Sequence, residues 1–246
     1  MNDRWALGRR VLAEALGTGL LVTVVVGSGI AAAKLSPGDT GLQLLENSFA
    51  TALGLAVLIL MLGPVSGAHF NPVVSAVDCW LGQRNGGGLT VRDLIAYVPA
   101  QILGAIAGAV LANVMFGEAA VSWSATQRSA GHLWMGESVA TAGLILLIFS
   151  LARSGRSAAA PVAVGAYIGS AYWFTSSTSF ANPAVTVGRA FSDTFAGIAP
   201  GSVPAFVVFQ VAGAIVGTLL LVVLYPVVAE SADEVVVPHP EAGVGS

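Results

Sequence analysis

Two asparagines, each followed by proline, are the residues of this chain best placed to act on a passing molecule. Asn71-Pro72-Val73 follows Gly67-Ala68-His69-Phe70, and Asn182-Pro183-Ala184 follows Ser179-Phe180-Ala181. Asparagine is a favoured helix N-cap, and proline suits the first helical position because it has no N–H to lose. Each copy therefore predicts a helix start with a carboxamide at its positive end. The first such helix, read as 72–81, would be roughly 15 Å long, about half of a ~30 Å hydrocarbon core. Two half-helices entering from opposite sides would meet near the midplane. There each would point its positive end and a capping asparagine at a pore, an arrangement that would conduct neutral solutes and repel cations.

Glu14 and Glu137 form the other pair. Each falls inside an apolar stretch, where a carboxylate costs at least ~2.5–3.5 kcal/mol on insertion scales. One use for it is a proton or cation relay. The other is to accept N–H groups from non-helical backbone at membrane depth, which has no water to bond. Recurrence of the glutamate, one per Asn-Pro loop, favours the loop-supporting role. Enzyme chemistry is not expected, because no nucleophile, base and orienting group stand together. His69, His132 and His239 are scattered and Cys79 is the single cysteine, so neither a metal site nor an intrachain disulfide is expected. No cofactor is implied, and no basic patch points to nucleic acid.

The elements that must position these residues are set by composition. Of 246 residues only 9% are charged and 55% are hydrophobic, against about 25% charged in soluble domains. The chain reads as an all-α membrane protein whose surroundings are a lipid bilayer. Six stretches are long enough to span, about 11–33, 47–65, 94–116, 133–152, 159–178 and 203–228. With six spans, Arg4, Arg9, Arg10, Arg84, Arg92, Arg153 and Arg156 share one side, whereas Lys34, Arg128 and Arg189 share the other. That bias places both termini in the cytoplasm and the multi-pass chain in the cell (plasma or inner) membrane. The net charge of −3 reflects acidic residues in the tail at 229–246, which is expected to be disordered.

The chain is also an internal repeat. Glu14 and Glu137 are 123 residues apart, Asn71 and Asn182 are 111 apart, and Gln101 and Gln210 are 109 apart. The last pair opens the matching runs Gln101-Ile102-Leu103-Gly104-Ala105-Ile106-Ala107-Gly108 and Gln210-Val211-Ala212-Gly213-Ala214-Ile215-Val216-Gly217. Each repeat holds three spans, an odd number, so the second must lie inverted with respect to the first. The division is a first repeat at 1–116, a connecting loop at 117–132 and a second repeat at 133–228.

These residues resemble the major intrinsic protein family, the aquaporins and aquaglyceroporins, from Ala13 to about Pro226. The paired Asn-Pro boxes with paired Glu and Gln landmarks carry the resemblance, with Val73 replacing the alanine of the first box. The resemblance implies an inverted three-plus-three bundle of six spans and two re-entrant half-helices. It implies a pore centre at Asn71, Pro72, Val73, Asn182, Pro183 and Ala184, lined in part by carbonyls of the loop at His69. It also implies four protomers, each with its own pore.

One position departs from the family. Members usually carry an arginine three residues after the second asparagine, and here that position is Val185. Carrying over the rest of the selectivity filter gives Ser179, Ser170 and Thr51, the last two by ungapped counting. A ring of Thr51, Ser170, Ser179 and Val185 would be wide and moderately polar. It would pass glycerol, urea or neutral metalloid hydroxides such as arsenite besides water, and the chain resembles bacterial members that lack the constriction arginine. Arg189, one turn beyond Val185, either replaces that charge at the pore mouth, or snorkels at the interface, or pairs with Asp193. The alternative function is an ion-coupled secondary transporter, since inverted repeats with discontinuous helices occur there too.

Overall fold

The computed structural model describes residues 3–226. The tail from 229 onward and His239 lie outside the described residues. All regular elements among the described residues are helical: α1 (Asp3–Leu35), α2 (Thr40–Ser66), α3 (Pro72–Asn85), α4 (Val91–Met115), α5 (Gly131–Arg153), α6 (Ala160–Phe174), α7 (Pro183–Arg189) and α8 (Val203–Leu224). Helices α1, α2, α4, α5 and α8 are each long and apolar enough to cross a membrane. Helix α6, the counterpart of the stretch read as a span at 159–178, is shorter: its 15 residues reach roughly 22 Å. A 3-10 turn at Ser157–Ala159 lengthens it by about 6 Å.

Local signals explain the ends. Helix α2 starts earlier than its apolar run suggests, because Asp39 caps it by accepting from the Leu42 N–H at 2.9 Å. Thr90 and Asp93 form a reciprocal capping box at the start of α4. The half-helices do begin at the Asn-Pro copies, but they are unequal. Helix α3 runs on to Asn85, 14 residues in all and roughly 21 Å. Helix α7 stops after 7 residues, roughly 10 Å.

Packing follows the repeat. Helix α1 lies against α4 as α5 lies against α8, and α2 meets α6 between the halves. Each half-helix also contacts the last span of the opposite half, α3 against α8 and α7 against α4. The matched glycines explain the closest of these approaches. A Cβ added at Gly108 would sit 2.0 Å from the Gly19 carbonyl oxygen of α1, and one at Gly217 would sit 2.4 Å from the Ala142 oxygen of α5. Backbone therefore packs on backbone at both sites, which only glycine permits. Thr23 adds a hydroxyl bond from α1 to the Gly108 carbonyl at 3.0 Å.

A candidate pore between two half-helices

The two loops that enter the bundle are conformationally costly. Ala68 (φ 50°) and Phe70 (φ 48°) in the first, and Thr178 (φ 62°), Ser179 (φ 48°) and Ala181 (φ 47°) in the second, all adopt the left-handed region. Each costs about 1–2 kcal/mol for a residue other than glycine. The buried glutamates hold them there. Glu14 accepts from the His69 N–H at 3.0 Å and the Phe70 N–H at 2.7 Å, from the Ser66 hydroxyl at 2.7 Å and from Gln101 Nε2 at 2.7 Å. Glu137 accepts from the Phe180 and Ala181 N–H groups, both at 2.9 Å, and from Gln210 Nε2 at 2.6 Å. Both carboxylates are fully buried. Their oxygens are occupied by loop donors and by Gln101 or Gln210. Gln101 and Gln210 spend their second N–H on Ser75 and Thr186 of the half-helices, at 3.0 and 2.8 Å.

The asparagines bridge the halves. Asn71 Oδ1 caps α3 through the Val73 N–H at 3.1 Å, while its Nδ2 donates to the Ala181 carbonyl at 2.8 Å. Asn182 Oδ1 caps α7 through the Ala184 and Val185 N–H groups at 3.0 and 3.2 Å, while its Nδ2 donates to the Phe70 carbonyl at 2.7 Å. Each NH2 carries two protons, so each asparagine keeps one N–H beyond its bridge to the other loop. Both asparagines line one central cavity.

That cavity of about 50 Å³ has room for a few waters at ~10–15 Å³ each. Its wall includes Thr51, His69, Asn71, Tyr172, Ser179, Asn182, Val185 and Arg189 among apolar side chains. Leu21 and Leu144, Val25 and Ile148, and Val74 and Val185 are pairs at the repeat offsets on this wall. Pro72, Val73, Pro183 and Ala184 do not line it. They form the first helical positions, and Val73 and Ala184 turn into the packed core. The imidazole of His69 reaches Ser75 Oγ at 3.1 Å.

Ser170 is a correction. It is exposed on the outward face of α6, with its hydroxyl on the Tyr167 carbonyl at 2.8 Å. The lumen-facing residue is Tyr172, whose hydroxyl lies 3.2 Å from Thr51 Oγ1. Two residues along a helix is about 200° of rotation, so an ungapped count that misses by two selects the opposite face. The wall thus carries a phenol in place of the Ser170 hydroxyl. Trp173, next to it, points outward and donates to Ser48 at 3.1 Å.

Arg189 neither snorkels nor pairs with Asp193. It is 2% exposed, its Nε donates to the Ala196 carbonyl, and its guanidinium carbon stands 3.4 Å from the Phe180 ring centroid. Asp193 accepts instead from the Ala125 N–H at 2.9 Å. The cation is therefore held against the Phe180 ring at the cavity wall, a turn beyond Val185.

Comparison with known proteins agrees with this geometry. The family described as MIP, major intrinsic protein, matches residues 1–179. Aquaglyceroporin AqpS of Rhizobium meliloti (strain 1021) is 50% identical over 215 residues, covering 87% of this chain and 89% of that protein. Aquaporin-2 of Homo sapiens is 32% identical over 238 residues, covering 90% and 80%. The X-ray structure of the aquaglyceroporin from Plasmodium falciparum has the same fold, with a TM-score of 0.64 at 22% identity over 89% of this chain and 95% of that one. Opposed half-helices, a lumen at their junction and these relatives lead to one assignment: the chain belongs to the major intrinsic protein family, whose members are channels for water and small neutral solutes and not enzymes.

Proposed function

We propose that this channel selects at the lumen wall formed by Thr51, Tyr172, Ser179 and Val185, and that it passes small uncharged solutes as well as water: glycerol, urea and neutral metalloid hydroxides such as arsenite. The observation that carries the reading is Val185. It is the third helical residue of α7, it lines the lumen, and it brings no charge and no hydrogen-bond donor. A solute arriving there sheds water against hydroxyls and one apolar wall, and the guanidinium on this wall, that of Arg189, is drawn aside to the Ala196 carbonyl and the Phe180 ring. Tyr172 makes the opening narrower than a ring of small residues would, so solutes pass singly. At the centre, the remaining N–H of Asn71 and of Asn182 orient each molecule oxygen-first.

The reading extends to the assembly. By family resemblance the protein is a homotetramer with a pore in each protomer, its two repeats meet through 117–132, and the arginine bias places both termini in the cytoplasm. Light scattering of the purified protein tests the tetramer. Stopped-flow measurements on proteoliposomes given water, glycerol, urea and arsenite shocks test the filter. Val185→Arg should lower glycerol permeability relative to water by about tenfold or more, the effect of ~1.4 kcal/mol of added barrier. An unchanged ratio would place the filter elsewhere.

A further inference from the structure

Beyond the narrow lumen lies a second cavity of about 170 Å³, lined by Thr40, Asn47, Arg128, Thr178, Arg189 and Phe195 among others. Arg189 belongs to the walls of both cavities. The two arginines are held side by side by neighbouring carbonyls: Arg128 Nε donates to Gly197 O at 3.0 Å, and Arg189 Nε donates to Ala196 O. Both guanidiniums lie on the Phe180 ring, at 5.0 and 3.4 Å from its centroid. These contacts engage the Nε of each guanidinium and hold its carbon over the ring, and the terminal nitrogens are the groups left to meet another partner.

No carboxylate of the described residues pairs with either one. Arg10 pairs with Asp93 and Lys34 with Glu118, away from this cavity. Glu137 is the acidic side chain whose charge both arginines feel, but its oxygens are directed to the Phe180 and Ala181 N–H groups and to Gln210. The vestibule therefore carries two cations against one committed anion, and Arg189 is almost wholly buried. Like charges at short range outside bulk water repel strongly, and a buried charge without a counter-charge is costly. A small anion relieves both. Planar guanidinium forks match the oxygens of a tetrahedral oxyanion, and Thr40 and Thr178 add hydroxyl-bearing side chains to the same wall.

We infer that this vestibule binds a small free oxyanion of the phosphate or sulfate class between Arg128 and Arg189, and that the bound anion plugs the mouth against neutral solutes. The plug rests on the pore reading above; the binding does not. The test has two arms on the full chain. In the first, lipid-free protein in a phosphate-free detergent is titrated calorimetrically with inorganic phosphate at constant ionic strength, which removes headgroup phosphate as a source. Saturable binding is expected, weakened about tenfold or more in Arg128→Gln, as for loss of a charged hydrogen bond, and weakened less in Arg128→Lys. Gel filtration confirms that each variant is folded, and Arg128 is chosen because it sits in the connecting segment rather than in the bundle. In the second arm, proteoliposomes of phosphatidylcholine receive glycerol shocks with and without external phosphate. Slower glycerol entry, half-saturating at the phosphate concentration found by calorimetry, is expected. Absence of saturable binding, or equal binding by wild type, Arg128→Gln and Arg189→Gln, overturns the site. Binding that leaves glycerol entry unchanged overturns the plug. Failure of glycerol to enter even without phosphate sinks the solute reading, and the titration then decides the site alone.

Discussion

Glu14 and Glu137 show why a charge at membrane depth need not be a transport residue. Each replaces the water that strained loop backbone would otherwise need, and each takes up at least two N–H groups of residues in or beside the left-handed region. Replacing Glu137 by Gln turns one oxygen into a donor that faces a donor. One of the three groups now bonded to it loses its acceptor, which costs about 1–3 kcal/mol. Glu137→Gln should therefore melt earlier in detergent and lose water and glycerol permeability together, without a change in their ratio. A relay would instead give a stable variant with altered ion coupling. Tyr172 makes the complementary prediction. Its hydroxyl meets Thr51 on the lumen wall, so Tyr172→Ala should widen the opening and raise glycerol and urea permeability relative to water. Ser170→Ala, on the outward face, should leave that ratio alone in the same stopped-flow assay. A response at Ser170 and none at Tyr172 would restore the ungapped assignment.

At the scale of elements, what was legible in the sequence is what local chemistry dictates. An asparagine before a proline makes a helix start wherever the chain takes it, and Asn71 and Asn182 do cap α3 and α7. The Glu, Asn and Gln offsets exposed the repeat, and the same offsets relate the glutamate–loop bonds of the two halves. The lumen face of α6 was not legible. Its phase depends on where the helix ends, at Phe174, and on how the segment from Thr175 to Asn182 returns to the midplane. Nor was the approach of Arg128 to Arg189, since the connecting segment has no periodicity and it is the Ala196 and Gly197 carbonyls that bring the two together. The glycines lie between these cases: their spacing was visible, their partners were not. A methyl group at Gly108 or Gly217 would stand 2.0 or 2.4 Å from a carbonyl oxygen of the neighbouring helix, so the helices must separate. Gly108→Ala and Gly217→Ala should each destabilise by about 1–3 kcal/mol and lower the yield of monodisperse protein. Gly131→Ala, with nothing within 4 Å of its added Cβ, should not.

The whole molecule is an arrangement for putting two positive helix ends at one point. Each N-terminus carries roughly +0.5 of a charge, and the effect decays within the first turn. The unequal lengths of α3 and α7 therefore matter little at the midplane, where together they present about one positive charge. A single carboxylate there would cancel it. Asn182→Asp is a suitable probe, because an aspartate still accepts from the Ala184 and Val185 N–H groups as Asn182 does and remains a good N-cap. It removes the bond to the Phe70 carbonyl and the donor facing the lumen, and it adds the cancelling charge. Proteoliposomes with an internal pH dye and an imposed pH gradient should then collapse that gradient severalfold faster than wild type, with water permeability retained. Asn71→Asp should act alike, since the mirrored bond from Asn71 reaches the Ala181 carbonyl of the other half. If both variants stay proton-tight, exclusion does not reside in the meeting of the two helix ends. If only one leaks, the halves are not electrostatically equivalent, and the barrier belongs to one half-helix rather than to their opposition.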